Sequence, residues 1–273
     1  MPVVFACAAS HAPGLTAWTE AAPEDQRGRL FAGLDAMREG LRAARPDVVL
    51  LLTSEHWANF FETIGAFCIG RGETFEGPIE PWLRVQKTVV KGDPALSLAL
   101  LEHCYARGFE IGYSHEMKLD HGSMVPLHFL TPDMQTRVVP LMFNTLASPR
   151  ATAARCVALG QALRPALDAR PERIAVVATG GLSHDPGERR HGWIDTAFDG
   201  TFIERLENAD LAALSAYTDA DLLAAGAGTL ELLAWLCLAG IMGDGKARLV
   251  AYEAIKPWAT GCGVVAWDAG AAV

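Results

Sequence analysis

The stretch Val48-Val-Leu-Leu-Leu-Thr53-Ser-Glu-His56-Trp-Ala-Asn-Phe-Phe61 decides the fold class. Its opening run is uncharged, β-branched or leucine, and follows Arg45-Pro46-Asp47. Such a run predicts a strand buried on both faces, as in the parallel sheets of α/β proteins. It ends in small polar residues, and His56 stands three positions beyond Thr53. In open α/β sheets the ligand crevice lies outside the carboxyl ends of the strands, so His56 falls where chemistry is usually done. The pattern recurs twice: Val3 to Ser10 runs into His11, and Ile174 to Thr179 runs through Gly180-Gly-Leu-Ser into His184. Three strand-ending histidines from distant parts of one chain predict a single shared site.

The segments around these strands fit that class. Asp25 to Ala44 places Leu30, Phe31, Leu34, Met37 and Leu41 on one helical face, so the first two strands and this helix form a β-α-β unit. Phe61 to Ile69 predicts a further strand, and Arg71 to Asp93, rich in Gly, Pro and charge, a loop of more than 20 residues, of the kind that is usually a functional lid or disordered. Pro94 to Ala106 is a helix opened by proline and stopped by Gly108, and Phe109 to Ser114 a short strand. His121 falls at a loop-to-helix junction. Arg137 to Phe143 is a strand, and Ser148-Pro149 caps a helix reaching about Ala169. Asp185 to Gly200 is loop-like, Thr201 to Ala225 helical, and Thr229 caps an apolar helix with Glu231 in its first turn. Arg248 to Tyr252 and Cys262 to Trp267 close the sheet around Lys256-Pro257-Trp258. The reading is α/β, with residues 1–273 as a single domain.

Composition narrows the class of function. The 273 residues carry a net charge of −9 with no basic cluster, which argues against a nucleic-acid partner. The six cysteines are scattered without a C-x-x-C pair, as expected of buried thiols in a reducing cytoplasm. The N-terminus has no basic region and only a short apolar run, which predicts no signal peptide. Leu222 to Gly243 is long enough to span a bilayer, but Glu231 and three interrupting glycines make a buried helix the better reading, so no membrane partner is expected.

Of the eight histidines, His103, His128 and His191 read as structural, and His115 has no assigned role. His11, His56 and His184 stand out because each follows a strand and a serine or Ser-Glu pair; His121 stands out through Asp120, which could orient a ring. Glu231 lies among apolar neighbours, where a carboxylate is costly unless paired or bound to metal. An ion pair with an arginine is the plain alternative. Two histidines and a carboxylate would make the facial triad of non-haem Fe(II) oxygenases. A nucleophile elbow, a dinucleotide fingerprint and a P-loop are all missing.

Five ordered motifs carry a family resemblance: Ser10-His11-Ala-Pro-Gly14, Ser54-Glu-His56-Trp-Ala-Asn-Phe-Phe61, Leu119-Asp-His121-Gly-Ser-Met-Val-Pro-Leu127, Thr179-Gly-Gly-Leu-Ser-His184 and Thr229-Leu-Glu231-Leu-Leu-Ala-Trp235. Together, over about residues 3–268, they resemble the class III extradiol ring-cleavage dioxygenases, the group of protocatechuate 4,5-dioxygenase beta subunits and 2,3-dihydroxyphenylpropionate 1,2-dioxygenases. The resemblance implies a mixed central sheet flanked by helices, and Fe(II) held by His11, His56 and Glu231. It implies His184 as a base toward the substrate hydroxyl and His121 as a second acid/base or oxygen-site residue. It implies a catechol and O₂ as substrates, ring opening beside the diol to a semialdehyde, and a homo-oligomer or a complex with a small second subunit. Lys256-Pro-Trp258-Ala-Thr-Gly-Cys-Gly263 departs from the protocatechuate type and stands closer to the dihydroxyphenylpropionate type. Rival readings are an aminophenol dioxygenase, a Zn-dependent hydrolase with the same ligands, and a non-catalytic binding protein; His121 and His184 together argue against the last. On the iron reading, Glu231→Gln abolishes metal binding and leaves the metal-free fold equally stable or slightly more so.

Overall fold

The computed structural model describes residues 3–60 and 63–268. The chain opens with β1 (Val3–Ala9), α1 (Glu24–Ala44), β2 (Val48–Ser54) and β3 (Phe67–Gly70). Next come β4 (Thr74–Gly77), β5 (Thr88–Lys91), α2 (Pro94–Ala106), β6 (Gly112–Ser114) and α3 (His121–Leu130). The second half runs β7 (Arg137–Phe143), α4 (Ala153–Asp168), β8 (Ile174–Thr179), α5 (Thr196–Glu207), α6 (Leu211–Ser215) and α7 (Asp219–Ala224). It closes with α8 (Leu232–Met242), β9 (Ala247–Ile255) and β10 (Thr260–Trp267).

Eight strands form one mixed sheet in the order β6-β3-β7-β2-β8-β1-β10-β9, flanked by helices on both faces. The four central strands β7, β2, β8 and β1 are parallel, with Leu50 of β2 opposite Val139 on β7 and Val176 on β8. Every residue of β2 is buried. Alternation explains why: Val48, Leu50 and Leu52 face the core under α2, α4 and α8, while Val49 and Leu51 face the core under α1 and α3. Strand β10 runs antiparallel to β1, so its first residues lie at the carboxyl end of β1. The expected α/β class and mixed, helix-flanked sheet are present.

Several local expectations are corrected. The strand expected over 61–69 is only β3, and positions 61–62 lie outside the described residues. The expected loop Arg71–Asp93 contains the antiparallel β4–β5 pair, whose Phe75 and Val90 are buried against the α1/α3 face. Thr152, not Ser148-Pro149, caps α4, its side chain accepting the Arg155 amide. The single helix expected over 201–225 is α5, α6 and α7, because Asp210 and Thr218 each cap a new helix start. Thr229 caps nothing: it lies in a 3-10 turn, Ala227–Glu231, and Glu231 itself stands immediately before α8.

That apolar segment is a buried helix, and no helix of the described residues is long and apolar enough to cross a membrane. Leu232 to Ile241 is buried throughout, α8 lying against β8 and β2 on one side and α4 on the other. The α4–α8 backbones touch, since a Cβ on Gly160 would lie 2.0 Å from the Cys237 carbonyl oxygen and one on Gly240 2.1 Å from that of Val157. Gly240→Ala is therefore expected to cost roughly 1–3 kcal/mol of stability, the usual penalty of overpacking. Denaturant unfolding of the metal-free protein measures it; an unchanged midpoint would show that the helices separate freely.

Candidate active site

The parallel strands deliver their histidines to one edge. His11 follows β1, His56 follows β2 and His184 follows β8 through the Gly180-Gly181 turn. Buried Glu55 accepts the amides of Trp57 and Asn59, which folds the chain after β2 and presents His56. The His184 loop is tied to β10 by the Leu182 amide donating to the Gly261 carbonyl and the Gly261 amide to that of Ser183. Ser183 is fixed in turn by Asp199, which accepts its amide at 2.7 Å, its hydroxyl at 2.9 Å and the Tyr252 hydroxyl at 2.6 Å. Burial pushes the Asp199 carboxyl up, against the pull of those donors.

Each histidine is held by Nδ1. Thr179 Oγ1 lies 3.1 Å from His11 Nδ1 and donates its own hydrogen to the Gly122 carbonyl at 2.9 Å, so it accepts from the imidazole. Asp120 accepts from His56 Nδ1 at 3.1 Å and from the His56 amide at 2.9 Å. The Leu182 carbonyl accepts from His184 Nδ1 at 2.8 Å. Glu80 accepts from His121 Nδ1 at 2.6 Å and from its amide at 3.0 Å. A carbonyl or carboxylate only accepts, so the hydrogen sits on Nδ1 and Nε2 is free to bind a metal or exchange a proton.

Two of these partnerships differ from expectation. Asp120 orients His56 rather than its neighbour His121. His121 is oriented by Glu80, from the segment between β4 and β5 that lies in the long loop expected over Arg71–Asp93. No arginine or lysine pairs with Glu231 among the described residues, which removes the arginine alternative. Its carboxylate, 6% exposed, lies instead 3.0 Å from His11 Nε2, 3.1 Å from His56 Nε2 and 3.7 Å from His184 Nε2. It also accepts the Gly181 amide.

The charges respond to this packing. Burial by itself would depress His56, but Asp120 and Glu231 outweigh it and hold the imidazolium well above the ordinary 6.5. His184 shows the same opposition, burial against the Glu231 charge, and is raised. Burial depresses His121, and the nearby His56 depresses it further. Burial would raise Glu231 and Asp120, yet the histidines win: Glu231 falls well below 4.5, and Asp120 falls to about 2.

The donor set fits a divalent metal. His11 Nε2 is buried and, despite its 3.0 Å approach to Glu231, makes no aligned hydrogen bond. The nitrogens of His11, His56 and His121 lie within 4.8 Å of one another, so a metal could also draw on that trio. Glycines make the room: a Cβ on Gly228 would lie 2.1 Å from His184 Nε2 and one on Gly181 2.5 Å from the same ring. Above the donors opens a cavity of about 360 Å³ walled by Trp18, Trp82 and Trp258. His191, expected to be structural, lines this cavity, whereas His103, His115 and His128 do not. No sequence signal marked Trp18; Glu80 and Trp82 fall in the long loop expected over Arg71–Asp93, with nothing in the sequence to single them out within it.

The family profile described as the catalytic LigB subunit of aromatic ring-opening dioxygenase matches residues 5–263. The chain belongs to this family. It is the class III extradiol group that the five motifs resemble. A 2,3-dihydroxyphenylpropionate/2,3-dihydroxicinnamic acid 1,2-dioxygenase of Cupriavidus necator is 35% identical over 190 residues, which span 68% of this chain and 58% of that protein. A protein of the same description from Paraburkholderia xenovorans is 27% identical over an alignment covering 94% of this chain and 95% of its own. A gallate dioxygenase of Pseudomonas putida is 35% identical over 56% of this chain and 46% of its length. In fold, the LigB-family chain is similar to an uncharacterized protein of Escherichia coli K12, with a TM-score of 0.56, 19% identity, and coverage of 85% and 91%.

Proposed function

We propose that residues 1–273 are one catalytic domain of a non-haem Fe(II) extradiol dioxygenase that opens a catechol-type ring with O₂ to a semialdehyde. The observation that carries this reading is the pair of Nε2 atoms of His11 and His56, both about one hydrogen-bond length from a buried carboxylate that no arginine or lysine neutralises. His11, His56 and Glu231 hold the iron, preferred over the three-histidine set because a buried dication and a buried carboxylate each supply the charge the other lacks. Bound iron supplies a common site for the diol and O₂ and a path for electrons between them.

The chain's own residues do the rest. His184, with Nδ1 committed to the Leu182 carbonyl, accepts a substrate hydroxyl proton at Nε2. Glu231 raises its proton affinity, so engagement of that carboxylate by a cation lowers it toward the range where imidazole works as a base. His121, oriented by Glu80 and also lining the cavity, exchanges a proton at Nε2. The tryptophans exclude water. Anaerobic loading with Fe(II) or Zn(II), then a panel of catechols and aminophenols, tests the reading through O₂ uptake and the yellow ring-opened product. Only the iron form is expected to consume O₂; no uptake with any member, or hydrolysis by the zinc form, would remove it.

Loading has a defined pH dependence. The lowered Glu231 and Asp120 stabilise the metal-free fold above their ordinary values near 4.5 and 3.8, and that contribution is lost as pH falls through their folded values. The raised His56 and His184 contribute fully below 6.5, and lose this as pH rises through their folded values. Of these two, His56 is a proposed ligand, and metal binding needs its imidazole without the extra proton. The gain in Tm on adding Fe(II) under argon is thus expected to widen from pH 6 to 8; a constant gain would contradict the assignment.

The same reading places the protein in a reducing cytoplasm, in keeping with its six buried free cysteines. It includes an assembly, a homo-oligomer or a complex with a small second subunit, because Trp18 and Trp82 at the cavity mouth remain 43% and 47% exposed. Light scattering is expected to show an oligomer; a monomer with full turnover at high dilution would remove this part.

A further inference from the structure

The cavity above the histidines has an unusual charge balance for a family whose relatives are named for acids. Apart from its histidines, its only ionisable side chain is Glu231, and among the described residues neither a lysine nor an arginine lines it. The nearest arginine in sequence to its rim residues, Arg190, is committed elsewhere. Its guanidinium binds Asp185 at 3.1 Å and the Leu223 and Ala224 carbonyls at 3.0 and 2.8 Å, and lies over the Trp193 ring. Arg84, Arg189 and Lys256 are exposed and none lines the cavity.

Two of the hydrogen-bond donors on the walls are committed within the protein. Trp258 Nε1 donates to the Trp18 carbonyl at 3.3 Å, and the Thr260 hydroxyl donates to the Trp258 carbonyl at 2.9 Å. His191 accepts the Gly187 amide at Nδ1, which leaves one N–H at the rim. What remains is apolar surface. The Trp18 and Trp82 rings lie 5.9 Å apart at 34°, and Trp258 packs so closely on Gly14 that a Cβ there would lie 2.3 Å from the indole. Pro13 and Pro186 complete the walls.

A carboxylate carried into this space would lose its water with no lysine or arginine to receive it, the imidazoles beside Glu231 being already engaged with that carboxylate, and would share the cavity with Glu231. An alkyl or aryl group would bury its surface against three indoles. We infer that the substrate is a catechol whose ring substituent is uncharged and apolar, seated against Trp18, Trp82 and Trp258, and not one ending in an acid group. The inference rests on the reading of this site as a catechol site, and names its substrate class.

Binding tests it without turnover. The full chain, metal-free and Fe(II)-loaded under argon, is titrated with matched pairs while tryptophan fluorescence is followed. The pairs are 3-propylcatechol against 3-(2,3-dihydroxyphenyl)propionate, and 4-methylcatechol against 3,4-dihydroxybenzoate; Trp82→Phe assigns the signal. The neutral member of each pair is expected to bind at least about tenfold tighter. Equal or tighter binding of the acids overturns the inference, as does tightest binding of 4-(2-aminoethyl)catechol, whose tail is cationic. Trp82→Arg, at an exposed position, is expected to move the acid-to-neutral ratio about tenfold toward the acid, with Trp18→Arg as the second variant; an unmoved ratio in both overturns it. Oxygen uptake separates the two readings. A neutral preference in binding with no uptake leaves the substrate class standing and removes ring cleavage. Uptake without preference between pair members leaves ring cleavage and removes the substrate class.

Discussion

Glu231→Gln is expected to abolish stoichiometric Fe(II) binding while the protein still folds. The amide keeps the shape of the side chain, and its oxygen still accepts the Gly181 amide that the carboxylate accepts now. What disappears is the charge, in a pocket where the remaining proposed ligands, His11 and His56, are neutral when they bind a metal. For the metal-free protein, the histidines around Glu231 lead to a different expectation from its apolar sequence neighbours alone. The carboxylate sits among three histidines, two of them raised and all within 3.7 Å. Removing it deprives protonated imidazoles of their partner, so the metal-free variant loses stability at neutral pH instead of gaining it. Thermal stability therefore no longer separates the metal reading from an ion-pair reading, and iron content does. A Glu231→Gln protein with full iron would move the ligand set to His11, His56 and His121, whose nitrogens are within 4.8 Å of one another.

His184→Ala and His121→Ala are each expected to keep their iron and lose turnover by about 10²–10⁴-fold, the range for a positioned acid or base. Both rings are buried or nearly so and line the cavity, and both are held at Nδ1 by acceptors of the protein itself. Glu80→Gln sharpens the second case. Its amide oxygen still accepts from His121, so geometry survives and the loss is expected to be smaller than for His121→Ala. Metal analysis beside steady-state rates decides: if His184→Ala loses iron while His11→Ala retains it, the division between ligands and proton carriers is wrong.

The histidines after β1, β2 and β8 were legible in the sequence for a general reason. Buried parallel strands appear as continuous apolar runs, and the carboxyl ends of neighbouring parallel strands share one edge, so a polar residue after each run has few other places to be. Glu231 was legible as a carboxylate with no solvent. The partnerships were not. Asp120 reaches back to His56 over 64 positions, although its sequence neighbour His121 is the obvious candidate. Glu80 and Trp82 arrive through the β4–β5 pair, whose short strands carry no strong alternation and are held by burial of Phe75 and Val90.

The sequence by itself determined the class of fold, the edge of the sheet where chemistry occurs and the residue types gathered there. These follow from strand burial and polarity, which are local properties of the chain. Only the tertiary structure decided which acceptor holds each imidazole, that histidines and not an arginine surround Glu231, and that tryptophans, and among the described residues no lysine or arginine, line the cavity above. Those depend on strand order and on β10 bringing Trp258 and Thr260 beside β1. Each is a contact between segments far apart in the chain, chosen by packing of the whole and invisible to any local pattern.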